Sequence, residues 1–293
     1  MSLTSAFQRN STAIFIAALA FLLYTNTLGH DYVLDDQAVI TQNEFTQKGA
    51  AGIGDILTNY YWRGYWDTNA GLYRPLSEVT FALEWELFEN NPHLGHFNNA
   101  LLYGLLGFLI FFFLSDLLIG CSPIVPFLAA LVFICHPIHT EVVANIKSRD
   151  ELLCLVFFVL SAMPLVRSFD QKKPWLLWVA SGCFLLSLLS KESGVTFILI
   201  FPLLLYFFRN QSVVSALKST WVLALPLVLY LIVHTLVVQD GETALLIYSY
   251  QDNSLLSTPN VWSRLATSFA MILDYFRLLV FPYPLSYDYS FNQ

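Results

Sequence analysis

The stretch of sequence that decides the fold runs from Pro174 to Phe208 and reads PWLLWVASGCFLLSLLSKESGVTFILIFPLLLYFF. Only Lys191 and Glu192 carry a charge among its 35 residues. A helix that crosses a membrane needs roughly 20 apolar residues, with about 17 as the lower limit. The stretch therefore predicts two membrane-crossing helices, joined by a tight turn at Lys191-Glu192-Ser193-Gly194 that lies close to the hydrocarbon.

The rest of the chain has the same apolar character. Of 293 residues, 56% are hydrophobic and only 12% are charged. A soluble domain is about a quarter charged, and a disordered chain lacks this apolar content. We therefore expect an all-α polytopic membrane protein, with about seven transmembrane helices plus interfacial helices. The predicted spans are residues 12–28, 98–119, 124–137, 151–166, 174–190, 194–208 and 221–238.

The charges are distributed unevenly between the two sides of these spans. If the N-terminus is cytoplasmic, the inside segments carry a net charge of +4 and the outside segments −11, which together give the −7 of the chain. Short loops rich in Lys and Arg stay in the cytoplasm, and the loops at 167–173 and 209–218 fit this rule. No small-residue cleavage site follows the first span, so we interpret it as a retained signal-anchor rather than a cleaved signal peptide.

Two larger segments lie on the predicted outside. The first is the loop 29–97, inserted between spans one and two, with short helical stretches such as 53–62. The second begins at residue 239. Its stretch 261–281 has charged residues on one arc and apolar residues on the opposite side, which is typical of a helix that lies along the membrane interface.

The first charged cluster beside a span contains Asp31, Asp35 and Asp36. Charges next to spans are energetically expensive and are functional candidates for that reason. An ionised Asp can accept a proton from a substrate held at the membrane surface. The alternative interpretation is a helix cap or a solvated start of the loop.

A second cluster centres on Arg74, in Tyr73-Arg74-Pro75-Leu76. Its guanidinium suits a phosphate or carboxylate, and a structural ion pair with a local acid is the alternative. The aromatic residues at 60–66 suit either stacking on a sugar or lipid or an interfacial belt.

The third cluster runs from His136-Pro137-Ile138-His139-Thr140-Glu141 to Lys147-Ser148-Arg149-Asp150-Glu151. Ser148 and Glu151 have the spacing of a capping box, which predicts a helix start there. Arg149 opposes the dipole of that helix unless an anion lies between them. The spacing of His136 and His139 leaves a divalent metal open as one alternative and hydrogen-bonding histidines as the other; no cofactor is certain.

The fourth cluster is the turn of Lys191 and Glu192. The pair is either self-neutralising, or Lys191 faces a lipid phosphate and Glu192 orients it. All four clusters fall on one predicted face of the membrane, which predicts a single polar chamber.

The order of these motifs resembles the GT-C superfamily of polytopic glycosyltransferases. The succession is similar to the transmembrane O-mannosyltransferases that bear tetratricopeptide repeats and to their bacterial relatives. It consists of Leu34-Asp35-Asp36, Tyr73-Arg74-Pro75-Leu76, His96-Phe97-Asn98-Asn99, the motifs around His136 and Arg149, Lys191-Glu192 and the closing segment 281–290. The resemblance covers most of the chain, which we expect to be one GT-C-like membrane domain, residues 1–293, incomplete at its C-terminus.

This resemblance implies transfer of a sugar from a polyprenyl-phosphate-linked donor to a protein or glycan hydroxyl, with inversion, on the extracytoplasmic side. Asp35 or Asp36 would be the base. The donor phosphate would be bound by Arg74, Arg149, Lys191, His136 and His139, with Glu141 and Glu192 in support.

The partners that follow are the lipid-linked donor, the acceptor and membrane lipid, and not nucleic acid. A bacterial inner membrane and an endoplasmic reticulum membrane both fit. A transporter or flippase for a lipid-linked or anionic substrate is the main alternative, although no internal repeat is evident. A non-catalytic scaffold, with the four clusters facing different directions, is the third.

Overall fold

The computed structural model describes residues 3–67, 69, 71–239 and 260–286. Helices and the turns between them make up this part of the chain, which contains no strand. The α-helices are α1 Leu3–Leu22, α2 Glu44–Gln47, α3 Ile53–Thr58, α4 Pro75–Phe88, α5 Pro92–Leu117, α6 Ile124–Ile134, α7 Thr140–Ala144, α8 Arg149–Asp170, α9 Trp175–Ser190, α10 Phe197–Arg209, α11 Val213–Thr220, α12 Ala224–Gln239 and α13 Val261–Val280.

Five stretches of the described chain are long and apolar enough to cross a membrane: Phe7–Gly29, Pro92–Leu117, Arg149–Asp170, Glu192–Arg209 and Val213–Gln239. A sixth crossing is formed if Ile124–Ile134 and Pro137–Ala144, which meet at 46°, are counted as one span. The prediction of an all-α polytopic membrane protein is confirmed.

Each of the seven predicted spans coincides with one of the apolar helices, but two of them depart from a straight crossing. The third span is bent where Pro137 interrupts it, because proline cannot donate a backbone hydrogen bond to continue a helix. The fifth span, α9, has only 16 residues, which is short for the hydrocarbon thickness.

Helix α8 lies at the centre of the bundle, packed against α5 and α9. Its most apolar window is 72% buried within the protein, whereas those of Glu192–Arg209 and Val213–Gln239 are 22% buried. Small residues allow α1 and α5 to approach closely, since a Cβ on Gly107 would lie 3.3 Å from the Cβ of Ala20. Such small-residue contacts are typical of helix packing in membranes. The outer helices expose apolar side chains such as Leu199, Phe207 and Leu236 on the surface of the bundle.

One end of the bundle is held by ion pairs, and we call this the arginine end. Asp116, near the end of α5, accepts hydrogen bonds from Arg9 and Arg167 at 2.5 and 2.6 Å. Arg209 forms a bidentate pair with Asp170 at 2.7 and 2.9 Å. These residues come from the segments predicted to be cytoplasmic, so the ends of α1, α5, α8 and α10 that are predicted to be inside meet at one end of the bundle.

The first loop folds into a small unit with its own apolar core around Val39, Tyr61 and Phe81. The helical stretch predicted at 53–62 is shorter than expected and ends at Thr58, because Asn59 takes an extended backbone conformation. At Gly52 the chain comes so close to another segment that an added Cβ would lie 2.0 Å from the carbonyl oxygen of Phe45. The glycine is therefore required by space.

The end of this loop is hydrogen-bonded to α12. The side chain of Asn69 donates to the carbonyl oxygen of Val238. The carbonyl of Gly71 lies 3.1 Å from Nε2 of His234, and the Tyr230 hydroxyl donates to the carbonyl of Tyr73 at 3.4 Å. Helix α12 thus holds the segment that leads to Arg74.

Helix α13 covers the stretch for which an interfacial helix is predicted. Most of its residues are exposed, Leu278 is buried, and Arg277 pairs with Asp274 at 3.4 Å. The carbonyl of Leu279 lies 3.1 Å from Nε2 of His136, which joins α13 to the turn after α6. Its position along a membrane surface stays a prediction. Of the closing motif, residues 281–286 are described and 287–290 lie outside the described residues.

Candidate functional site

The charged residues that begin α8 lie opposite the arginine end and gather charged groups from three other parts of the chain. The start of α4 contributes Arg74, the turn between α9 and α10 contributes Lys191 and Glu192, and the first loop contributes Asp35. A rise of 1.5 Å per residue places this end roughly 26 Å from Arg167 along α8. The two charged layers are therefore separated by most of a bilayer's hydrocarbon thickness.

Asp150 is the centre of this group and is fully buried. Its Oδ2 lies 2.7 Å from Nη1 of Arg74 and 3.9 Å from Nζ of Lys147. Its Oδ1 lies 3.5 Å from Nζ of Lys191. A buried carboxylate needs such partners to offset the loss of hydration. We call Asp150, Arg74, Lys147, Lys191 and Glu192 the charged network.

Arg74 is fixed from two directions. Its Nε donates to Glu192 at 2.7 Å and its Nη2 donates to the other oxygen of the same carboxylate, while Nη1 donates to Asp150. Its guanidinium also lies 5.2 Å from the ring centre of Tyr61. Burial acts to lower the pKa of Arg74, but the bond to Glu192 and the charge of Asp150 outweigh it and raise that pKa above its usual value. The guanidinium is thus a fixed positive charge.

Lys191 and Lys147 extend the charged network towards solvent. Nζ of Lys191 lies 2.6 Å from Oε1 of Glu151, and Nζ of Lys147 lies 3.8 Å from Oδ2 of Asp35. The side chains of these two lysines are 16% exposed, whereas those of Glu151 and Asp35 are 42% and 52% exposed. Each lysine therefore bridges the buried Asp150 and an accessible carboxylate.

The two adjacent aspartates of the first loop differ in their environments. Asp36 is fully buried and accepts backbone hydrogen bonds from Val33 and Lys147 at 2.9 and 2.8 Å. Burial raises the pKa of Asp36, and the two backbone bonds oppose that rise. Asp35 is about half exposed. Asp36 thus joins the first loop to the start of α8, and Asp35 is the carboxylate that another molecule can reach.

Arg149 is almost fully buried and has protein partners on every side. It forms a two-point ion pair with Glu84, donates through Nε to Asn99 at 2.9 Å and through Nη2 to the carbonyl of Gly95 at 3.1 Å. Nη1 also donates to Thr80 at 3.2 Å. The sequence predicts an anion beside Arg149 at the start of α8, and in the structure this anion is the carboxylate of Glu84.

The predicted capping box is only half correct. Helix α8 begins after Ser148, as predicted, but the Ser148 side chain makes no capping hydrogen bond. The backbone N–H of Glu151 instead donates to the carbonyl oxygen of Ser148 at 3.0 Å. The Glu151 side chain turns to Lys191, because that ion pair is available to it.

Among the described residues, the two histidines form no hydrogen bond or ion pair with the charged network. Nδ1 of His136 accepts from the N–H of Ile138 at 3.2 Å and caps the turn that follows. The ring of His139 packs 4.5 Å from that of Phe133, and Glu141 is exposed in the first turn of α7. Within the described part of the chain, no three His, Cys, Asp or Glu side chains are grouped in a way that could hold a metal.

An open cleft of about 330 Å³ adjoins the charged network. Most of its walls are apolar, and its polar lining includes His139, Glu151 and Ser193. Because Glu151 is paired with Lys191, the charged network begins at the edge of this cleft. The cleft thus combines a surface suited to hydrocarbon with a carboxylate, Glu151, that links it to Lys191.

Sequence reasoning omitted several residues that the structure brings into this region. Asp150, Lys147 and Glu151 were visible as part of a charged run, but nothing in the sequence ranks them above their neighbours. Glu78 is also buried here, and burial raises its pKa well above the usual value, opposed by Arg74. Its position in the first turn of α4 gives no sign of this burial.

Comparison with known proteins finds relatives that are named protein O-mannosyl-transferases. The chain is 28% identical to protein O-mannosyl-transferase Tmtc2 of Drosophila melanogaster over 96% of its length and 30% of that protein. It is 28% identical to human protein O-mannosyl-transferase TMTC2 over 94% of its length and 35% of that protein. The chain is homologous to the TMTC proteins. The resemblance inferred from the order of motifs is confirmed.

A third relative, human protein O-mannosyl-transferase TMTC1, is 32% identical over 63% of this chain and 22% of that protein. The chain thus spans about a third or less of the length of these TMTC relatives. No family model matches the chain, and no solved structure matches it.

Proposed function

We propose that this chain forms the membrane part of a glycosyltransferase that moves a sugar from a polyprenyl-phosphate donor to a hydroxyl group of a protein. The TMTC relatives are named protein O-mannosyl-transferases, which supports mannose as the sugar and a protein as the acceptor. The observation that carries the proposal is the convergence of four separated charged segments at the edge of one apolar cleft.

The two parts of the donor, its polyprenyl chain and its phosphate, suit the apolar cleft and the charged network respectively. Its polyprenyl chain is hydrocarbon and suits the apolar cleft, which opens beside His139. Its phosphate needs cations, and the charged network supplies Arg74, Lys147 and Lys191, of which Lys191 is linked to the cleft through Glu151. Such preorganised charges stabilise the phosphate as it leaves. His136 and Glu141 remain proposed as outer contacts of the same donor.

Asp35 is the proposed base. The acceptor hydroxyl gives its proton to the Asp35 carboxylate as its oxygen attacks the anomeric carbon. The bond from that carbon to the phosphate oxygen breaks, and the bonding electrons remain on the phosphate. This single displacement inverts the anomeric configuration. The exposure of Asp35, against the complete burial of Asp36, supports this choice.

Asp36, Arg149 and Glu192 act as positioning residues in this mechanism. Asp36 fixes the loop that bears Asp35, since its two oxygens accept backbone bonds from Val33 and Lys147. Arg149 fixes the start of α8 to α4 and α5 through Glu84 and Asn99. Glu192 holds Arg74 in place by a bidentate contact.

The protein is an integral membrane protein. We further propose that it is one membrane domain with a cytoplasmic N-terminus, and that the charged network faces the lumen of the endoplasmic reticulum or the bacterial periplasm. The concentration of basic residues at the arginine end supports this orientation.

The experiment is transfer of labelled mannose from dolichyl phosphate mannose to a Ser/Thr-containing polypeptide by the chain in proteoliposomes. Loss of a positioned base costs roughly 10²–10⁴-fold in rate, so Asp35→Asn should remove measurable transfer while leaving the melting temperature unchanged. Asp36→Asn should lower stability as well as rate. Full activity in both variants would refute the assignment of the base, and uptake of the lipid without transfer would indicate a transporter.

A further inference from the structure

We propose that Asp150 is a positioning residue, which gathers Arg74, Lys147 and Lys191 into one binding site for the phosphate of a lipid. The inference deepens the proposed function and rests on it for the identity of the ligand. Asp150 itself does not touch the lipid, because its carboxylate is fully buried beneath the three cations.

The geometry singles out Asp150 because the three cations come from three separate segments. Arg74 precedes α4, Lys147 precedes α8 and Lys191 follows α9. Each has a nitrogen within 4 Å of the same carboxylate, at 2.7, 3.9 and 3.5 Å respectively. Asp150 is thus the one described group in contact with all three cations.

The carboxylate of Asp150 lies where the start of a helix and a guanidinium meet. It lies in the first turn of α8, where the helix dipole stabilises a negative charge. The hydrogen bond from Arg74 adds a charge-assisted contact. The three cations are thus arranged around one buried carboxylate at the start of α8.

The charge count of the charged network matches a phosphodiester. Arg74, Lys147 and Lys191 supply three positive charges, and the buried or partly buried acids Asp150 and Glu192 supply two negative charges. One positive charge remains. In the structure the accessible carboxylates Asp35 and Glu151 face the two lysines. A polyprenyl phosphate bonded to a sugar carries one negative charge, and it would balance the charged network once it displaces these two carboxylates from the lysines.

The two lysines are the groups that can reach the ligand. An ammonium has three donor hydrogens, so a lysine can face Asp150 and still donate to a second anion. In the structure the second anions are the accessible carboxylates Asp35 and Glu151. Without Asp150, mutual repulsion and these outer acids would draw the lysines apart, and the phosphate site would be lost.

The test measures binding of dolichyl phosphate to the full chain in detergent, with dolichol, which lacks the phosphate, as the paired probe. Asp150→Asn should weaken binding of dolichyl phosphate roughly tenfold or more, since a hydrogen bond between charged groups contributes about that factor. The same variant should bind dolichol as the parent does. Asp170→Asn is the matched control, because Asp170 is also paired with an arginine but at the arginine end. It should bind both lipids as the parent does.

Further readouts separate positioning from simple loss of fold. Asp150→Glu keeps the charge but displaces the carboxylate by one methylene, so it should retain part of the phosphate affinity. If Asp150→Asn does not fold, unchanged dolichyl phosphate binding by Asp150→Glu overturns the inference. Equal loss of affinity for both lipids in Asp150→Asn also overturns it.

The outcome is distinguishable from failure of the proposed function. Phosphate-selective binding that depends on Asp150, in a chain that transfers no sugar under any condition, would support the lipid phosphate site and refute the transferase. Transfer by the parent chain with an unchanged donor KM in Asp150→Asn would support the transferase and refute the positioning role. In a functional enzyme we expect the donor KM to rise in this variant while the acceptor KM stays the same.

Discussion

Removal of the Arg149 guanidinium should be among the most damaging single changes in this protein. Arg149 is 1% exposed, and its donors meet Glu84, Asn99, Thr80 and the carbonyl of Gly95. Its guanidinium also lies 4.6 Å from the ring centre of Phe81. Breaking a buried ion pair by deleting one partner costs about 3–5 kcal/mol, because the remaining charge is left uncompensated.

We therefore expect Arg149→Met to lower the free energy of unfolding by about 3–5 kcal/mol. Arg149→Lys should recover only part of this loss, since an ammonium cannot reproduce the two-point contact with Glu84. The double variant Arg149→Met with Glu84→Gln should be more stable than the sum of the single losses predicts, because it removes both charges of the pair.

Reversible unfolding in mixed micelles of increasing SDS content measures these differences. The control is Arg277→Met, because Arg277 pairs with Asp274 while half exposed and such pairs contribute only about 0–1 kcal/mol. If Arg149→Met were no more destabilising than Arg277→Met, the structural role of Arg149 would be refuted. Arg149 would then be free to bind phosphate, as the sequence alone suggests.

Three further predictions follow from burial, space and topology. Burial raises the pKa of Glu78 in the folded protein, so the folded protein keeps a proton on Glu78 that the unfolded chain loses above its usual pKa of 4.5. The free energy of unfolding therefore falls as the pH rises above 4.5, and Glu78→Gln should become progressively more stable than the parent over that range. Equal melting curves for the two proteins at high pH would contradict this. Gly52→Ala should lower the melting temperature because its Cβ meets the Phe45 carbonyl, whereas Gly54→Ala, with nothing within 4 Å, should leave it unchanged. In single-cysteine variants, an impermeant maleimide should label Cys121 only from the side of the N-terminus and Cys135 only from the opposite side. If both cysteines were labelled from the same side, α6 would not cross the membrane.

The membrane helices could be predicted because their signal is local. A run as apolar as 174–208 cannot bury all its apolar groups in a fold surrounded by water. Its length and its two central charges therefore predict two membrane helices joined by a turn. The short α9 and the bend at Pro137 are harder to anticipate, since neighbouring helices and polar ends decide how much of each run lies in hydrocarbon.

The candidate site could be predicted only in outline. The motifs indicate that Arg74 and the turn at Lys191-Glu192 are functional candidates. Arg74 and Glu192 are 118 residues apart in the chain, and no local sequence pattern predicts that they are in contact. The sequence also does not show which residues are buried. It gives no reason to distinguish Asp35 from Asp36, although Asp35 is about half exposed and Asp36 is fully buried. Arg149 shows the same limit, since its partner Glu84 lies 65 residues earlier.

The hydrogen bonds between the first loop and α12 have a consequence for the order in which the protein is made. The segment before Arg74 is synthesised early, yet its partners Tyr230, His234 and Val238 emerge more than 150 residues later. During that interval this segment lacks its partners on α12, although Asp150 and Glu192, which pair with Arg74 itself, have already been made. The site is thus completed late in biosynthesis, and a chain interrupted before α12 would insert its first six spans without acquiring a finished site.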